Sequence, residues 1–159
     1  MKEILEILQK NSKYSVEEIA IMTGKSAAEV SSDIKKCEDE NIIVGYTTLI
    51  NWEKTENENV TALIEVKVTP QRGEGFDKVA ERIYRFPEVQ SCYLMSGGFD
   101  LTVVIEGKTM KEVALFVAEK LAVQDCVLST ATHFVLKKYK DKGIIFEKPE
   151  RDDREDIFV

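Results

Sequence analysis

Two short cassettes, Ser15-Val16-Glu17-Glu18 and Ser26-Ala27-Ala28-Glu29, constrain this chain more than any other feature. Each is a capping box, in which a serine hydroxyl accepts from the amide of the third helical residue and that residue's glutamate reaches back to the serine amide. Helix starts this close together leave room for about two turns of helix before the chain must reverse. Thr23-Gly24-Lys25 supplies the turn, because glycine takes the left-handed conformation of a helix end at no steric cost. Upstream, Ile4, Leu5 and Leu8 recur at helical spacing until Asn11-Ser12 end the pattern. Downstream, Val30, Ile34 and Cys37 mark one face of a helix running to about Glu40.

Three helices with a tight glycine turn between the last two make a tri-helical helix-turn-helix, the pattern whose final helix enters the major groove of DNA. A plain three-helix bundle has the same spacing. The sequel narrows the choice: Ile42 to Ile50 is rich in β-branched and aromatic residues around Gly45, which suits a short hairpin or wing. Residues 1–50 thus read as a winged helix-turn-helix domain. Residues 51–59 are polar apart from Trp52 and read as a linker.

From Val60 the periodicity changes. Val60, Ala62, Ile64, Val66 and Val68 alternate with polar partners up to Pro70, the pattern of a half-buried strand, and a turn follows at Gly73-Glu74-Gly75. Phe76, Val79, Ala80 and Ile83 then fall on one face of a helix that ends before Pro87. Val89 to Ser96 and Leu101 to Glu106 are strands on either side of Gly97-Gly98-Phe99-Asp100. Thr109-Met110-Lys111-Glu112 is a third capping box, leading to Val113, Phe116, Val117 and Leu121, and Val127 to Leu136 is a last strand. The order β-α-β-β-α-β is that of the ferredoxin-like fold, an α+β architecture with both helices on one face of an antiparallel sheet. Residues 60–143 are expected to form this domain, and 144–159 a β-like Ile144-Ile145-Phe146 with a charged tail ending Ile157-Phe158-Val159, able to add an edge strand across a dimer. Val103 and Ile105 beside Leu101 and Val104 suggest apolar residues on both sheet faces, so a second copy is expected to cover the open one.

Composition excludes several classes. With 43% hydrophobic and 32% charged residues the chain is neither disordered nor membranous, and no apolar run approaches a membrane span. Met1-Lys2-Glu3-Ile4 lacks a signal-peptide pattern, so a cytoplasmic protein is expected. Cys37, Cys92 and Cys126 form no Cys-x-x-Cys pair and suggest neither disulfides nor a metal site, and Cys37 and Cys92 read as small core residues. No cofactor or catalytic residue is indicated: Ser-His-Asp, metal-ligand and Walker patterns are all missing from the sequence. The net charge of −7 runs against nucleic-acid binding, and residues 1–50 hold six lysines against nine acids.

Taken together, Ser15 to Ala20, Ser26 to Val30 with Ile34, Asn41 to Tyr46, Ser96 to Leu101 and Ser129 to Thr132 resemble the Lrp/AsnC, or feast/famine, regulators from Met1 to about Gly143. The resemblance implies a winged helix-turn-helix followed by a ferredoxin-like domain, assembled as dimers or octamers that bind double-stranded DNA and a small-molecule effector such as an amino acid. The DNA-facing candidates are Ser26, Ala28, Ser31, Ser32, Lys35 and Lys36, small hydroxyls for base edges and lysines for phosphates. The effector candidates are Met95, Ser96, Gly97, Gly98, Phe99 and Asp100. Glycine amides there suit a carboxylate and Asp100 an ammonium. By family analogy Ser129, Thr130 and Thr132 add hydroxyls from a neighbouring subunit. The bland alternatives are a solvated helix face and an ordinary hairpin turn. One departure stands out: where the family presents an arginine three residues after Val30, this chain has Asp33. Two other classes stay open, a DNA-independent amino-acid sensor or partner-binding oligomer, and an enzyme like the sirohaem decarboxylases of similar architecture. The enzyme would require a role for the single histidine, His133.

Overall fold

The structure is a computed structural model that describes residues 1–56, 59–69 and 75–147. Its internal contacts divide the chain into two units after Ile50. Pro70, the Gly73-Glu74 part of the expected turn, and the tail through Ile157-Phe158-Val159 lie outside the described residues.

The first unit contains α1 (Lys2–Lys10), α2 (Val16–Thr23) and α3 (Ala27–Asp39). Both capping boxes form reciprocally: the Ser15 hydroxyl accepts from Glu18 N, and the Glu18 carboxylate accepts from Ser15 N at 2.7 Å. Gly24 ends α2 at φ 67°, the left-handed region where a Cβ is strained. With the turn fixed, Ile4, Ile19, Ala20 and Val30 close a small core, flanked by Ile7, Leu8, Val16 and Ile34. Met22, on the helix that carries Ile19 and Ala20, is exposed instead.

The expected wing hairpin is not formed. Residues 42–50 carry no strand pairing, and Gly45 lacks the positive φ that a two-residue hairpin turn requires. The segment is tied to α3 by its start and by one side chain. Ile42 N and Ile43 N both donate to Cys37 O, and the Tyr46 hydroxyl donates to Glu38 Oε1 at 2.9 Å.

The second unit opens with a short 3₁₀ turn over Trp52–Lys54 and then builds β1 (Val60–Val68), α4 (Gly75–Tyr84), β2 (Val89–Leu94), β3 (Leu101–Gly107), α5 (Met110–Phe116) and β4 (Val127–Phe134). The sheet order is β2-β3-β1-β4, fully antiparallel, with β1 and β3 at the centre. This is the ferredoxin-like arrangement anticipated above. Register places Ala62, Ile64 and Val66 opposite Ile105, Val103 and Leu101, and all six are buried with Val79 and Ile83 of α4 and Val113 and Phe116 of α5. A two-stranded ribbon of β5 (Lys140–Asp141) and β6 (Ile144–Ile145) follows.

Two local readings need correction. Thr109 does cap α5, but Glu112 reaches Lys108 N at 2.7 Å and not Thr109 N, so the third box closes one residue further back. The helix also widens into a π turn over Val117–Leu121, with Ala122 N donating to Val117 O. Phe116 and Leu121 are five residues apart and both buried, a spacing that a wider turn accommodates.

The open sheet face is less apolar than expected. Leu101, Val103 and Ile105 share the core face, and of the four residues named for β3 only Val104 points the other way. It has Leu63, Tyr93 and Ala131 as apolar company, among Thr102, Glu65, Lys67, Glu106, Ser129 and His133. His133 Nε2 lies 3.4 Å from Glu65 Oε1 across the β1–β4 ladder. Because Ile64 is wholly buried at the centre of both ladders, Ile64→Ala is expected to destabilise the protein by about 3 kcal/mol in chemical denaturation.

Candidate functional site

On α3, Val30, Ile34 and Cys37 face inward, which puts Ala28, Ser31, Ser32 and Lys35 on the opposite stripe at i, i+3, i+4 and i+7. These four are exposed, as are Ser26 and Lys36. All six are thus accessible, with four on one stripe, and they are not equivalent. The Ser26 hydroxyl accepts from Glu29 N at 3.3 Å and donates to Glu29 Oε2 at 2.7 Å. It is committed to the cap. Those contacts hold the Glu29 carboxyl below the usual glutamate range. Lys36 Nζ lies 3.8 Å from Glu40, a loose surface pair.

Asp33 sits on the flank of this stripe, not within it. Its Oδ2 accepts from Lys25 Nζ at 2.7 Å, and the Met1 ammonium lies 3.6 Å away. The Lys25 hydrogen bond lowers the Asp33 carboxyl below its usual range, and the same bond raises the Lys25 ammonium. Lys25, Ala28, Glu29, Ser32 and Asp33 line a shallow depression beside the exposed stripe. Asp33, which stands where the family presents an arginine, thus has a partner eight residues back that no sequence signal marks.

The Met95–Asp100 loop joins β2 to β3. Three hydrogen bonds from Asp100 fix it: its carbonyl accepts from Met95 N at 2.8 Å, its amide donates to Val66 O at 3.0 Å, and Oδ2 accepts from Val68 N at 2.8 Å. One carboxylate oxygen expected to meet an ammonium is therefore already bonded to the backbone. Gly97 adopts φ 125°, whereas Gly98 does not enter the positive region, so only one of the two glycines is conformationally required. A Cβ at either position would meet nothing within 4 Å, so neither glycine is required by crowding. Ser96, Gly97 and Gly98 are exposed, as is Met95, while Phe99 and Asp100 are half-buried.

Thr130 pairs with Val66 and Thr132 with Ile64, so both hydroxyls lie on the helix-covered side. Ser129 pairs with Lys67 and faces the open side. The three residues expected to act together are divided by the pleat. Thr130 and Leu101 nevertheless flank Val66 on its two sides, which brings the Gly97 loop and this part of β4 to the same end of the sheet. Among the described residues no cluster of three His, Cys, Asp or Glu could hold a metal, and no helix is long and apolar enough to cross a membrane.

A helix-turn-helix unit joined to a four-stranded α+β domain with two helices on one face defines a class of transcriptional regulators that couple DNA binding to ligand binding. Within it, the sequence matches the Lrp/AsnC ligand binding domain over residues 61–145 and a winged helix-turn-helix DNA-binding domain over residues 1–44, and the chain belongs to the Lrp/AsnC family. It is 56% identical to an uncharacterized HTH-type transcriptional regulator of Bacillus subtilis, YugG, over 96% of this chain and 92% of that one. It is 32% identical to the HTH-type transcriptional regulator LrpA of Pyrococcus horikoshii, over 87% of this chain and 96% of that one. Among solved structures, a transcriptional regulator of Neisseria meningitidis in complex with L-methionine superposes with a TM-score of 0.71 at 25% identity, covering 87% of this chain and 89% of that one.

The pair between Asp33 and Lys25 has a defined pH window. A carboxyl with a depressed pKa adds stability above its ordinary titration range, and that stability is lost as pH falls through the depressed value. The matching lysine term is present below the ordinary lysine range and is lost as pH rises through the raised value. Asp33→Asn is therefore expected to lower the melting temperature at pH 7 and to have no effect once the wild-type carboxyl is protonated, which thermal scans from neutral to strongly acid pH would check.

Proposed function

We propose that this regulator reads double-stranded DNA with the exposed stripe of α3 and responds to an α-amino acid bound at the Met95–Asp100 loop. What carries the proposal is a loop anchored to the central strand through Asp100, with exposed Gly97 and Gly98 next to that carboxylate in the chain. Backbone amides of a glycine-containing loop can receive the carboxylate of an amino acid. The ammonium is met by the Asp100 oxygen that Val68 N does not use, since an ionised carboxylate has about four acceptor sites. Exposed Met95 and half-buried Phe99 supply apolar surface for an uncharged side chain. The L-methionine held by the Neisseria protein is consistent with that chemistry. Thr130, Thr132 and Ser129 then contribute from a neighbouring copy, with a homodimer as the smallest unit and an octamer as the larger one, in the cytoplasm.

On DNA, Ser31, Ser32 and Ala28 meet base edges and Lys35 and Lys36 meet phosphates. Ser26 acts through its cap. Two modules held in one oligomer make weak single contacts useful by multivalency. A regulator, and not an enzyme, is the reading its relatives' names favour.

Two experiments test this reading. Selection of genomic fragments by the full chain at low salt, with and without an amino-acid pool, is expected to enrich specific fragments and to shift on addition of the effector. Recovery of no fragment would defeat the DNA half. For the effector half, Asp100→Asn is the informative variant, because an amide oxygen can still accept from Val68 N. Asp100→Ala leaves that N–H unpaired and is expected to cost about 1–3 kcal/mol by itself. Thermal stabilisation of the wild type by an amino acid should disappear in Asp100→Asn while the ligand-free melting temperature changes little. An unchanged shift removes Asp100 from the site.

A further inference from the structure

Lys25 immediately precedes the N-cap of α3, at the end of a helix whose amides and dipole attract anions. On a DNA-binding module that is a natural place for a phosphate contact. Its ammonium is instead turned along the helix flank to Asp33 Oδ2 at 2.7 Å. Both side chains are about one-third exposed or less, at 34% and 27%, so the pair is better sheltered than an ordinary surface ion pair. The other nearby acid, Glu29, is engaged by Ser26, which leaves Asp33 as the hydrogen-bonding acceptor for Lys25.

We propose that Asp33 withholds Lys25 from the DNA backbone, so that each module binds DNA with one phosphate contact fewer than its lysines would allow. This inference rests on the reading that α3 faces DNA. To reach a phosphate, Lys25 must give up a charge-assisted hydrogen bond and leave an uncompensated carboxylate beside a polyanion. The consequence is low affinity for arbitrary DNA, since phosphate contacts supply most non-specific binding. Asp33 is then a specificity-determining residue that never touches a base: it suppresses the sequence-independent part of binding and leaves the base-facing stripe to decide.

The test is a double-mutant cycle in the full-length protein, reading DNA affinity against salt concentration by fluorescence anisotropy on one duplex. Asp33→Asn is expected to raise low-salt affinity several-fold and to steepen the log–log salt slope by about 0.9 for each module engaged. Lys25→Ala alone is expected to leave the wild-type slope unchanged, while in the Asp33→Asn background it should abolish the added slope. That last comparison separates Lys25 from the Met1 ammonium, which shares Asp33. Circular dichroism of each variant verifies folding, and Lys25→Ala keeps the proposal falsifiable if Asp33→Asn unfolds. A wild-type slope that falls with Lys25→Ala, or a folded Asp33→Asn with an unchanged slope, overturns the proposal and leaves the DNA reading intact. Failure of wild type and both variants to bind any duplex at low salt overturns both.

Discussion

The hydrogen bond from Val68 N to the Asp100 carboxylate ties the β2–β3 loop to the end of the central strand of the second unit. Strand β1 is the central element, laddered on both sides, and its register with β4 shifts between Lys67 and Val68. At that irregularity Val68, almost fully buried, needs an acceptor that the ladder does not supply. Asp100 reaches it from across the β3 side, and its own amide and carbonyl bind Val66 and Met95. A side chain from the β2–β3 loop thereby completes the end of the central strand, and the loop is held at three points. Gly97 within it takes φ 125°, a conformation that glycine adopts without strain.

In the first unit the acids follow a comparable logic. Glu18 and Glu29 close the capping boxes, Glu38 accepts from Tyr46, and Asp33 accepts from Lys25. The excess of carboxylates that looked hostile to DNA is in good part structural, set on helix starts and flanks, while the stripe of Ala28, Ser31, Ser32 and Lys35 contains no acid. The negative far field remains, and it opposes indiscriminate binding. Short-range chemistry at the helix face and long-range charge therefore act in opposite directions on the same module.

The parts legible in the sequence were those set by local rules. Ser15, Ser26 and Gly24 announce two helix starts and a turn because every contact they make lies within a few residues. The alternation along β1 and β3 gives the sheet, and the order of elements gives its topology. What could not be read depends on partners distant in sequence. Nothing about Asp33 alone points to Lys25, and nothing about Asp100 points to an amide 32 residues earlier. Alternation says that Ser129 and Thr130 diverge, but only the register with Lys67 and Val66 says which faces the helices. Residues 42–50 form no hairpin within the chain because β-branched composition alone does not set a turn, and Gly45 does not take a positive φ.

The cap at Ser26 has a consequence for how such a regulator can change its targets. That one residue both starts the helix and lies next to the exposed stripe proposed to face DNA. Substitutions there are filtered by folding before they are filtered by recognition, since only a few side chains can cap a helix. Ala28, Ser31, Ser32 and Lys35 are under no such obligation. A lineage retuning this module for a new operator would therefore vary those four positions while holding Ser26 and Glu29 constant. Its mutational path is channelled by the mechanics of helix initiation.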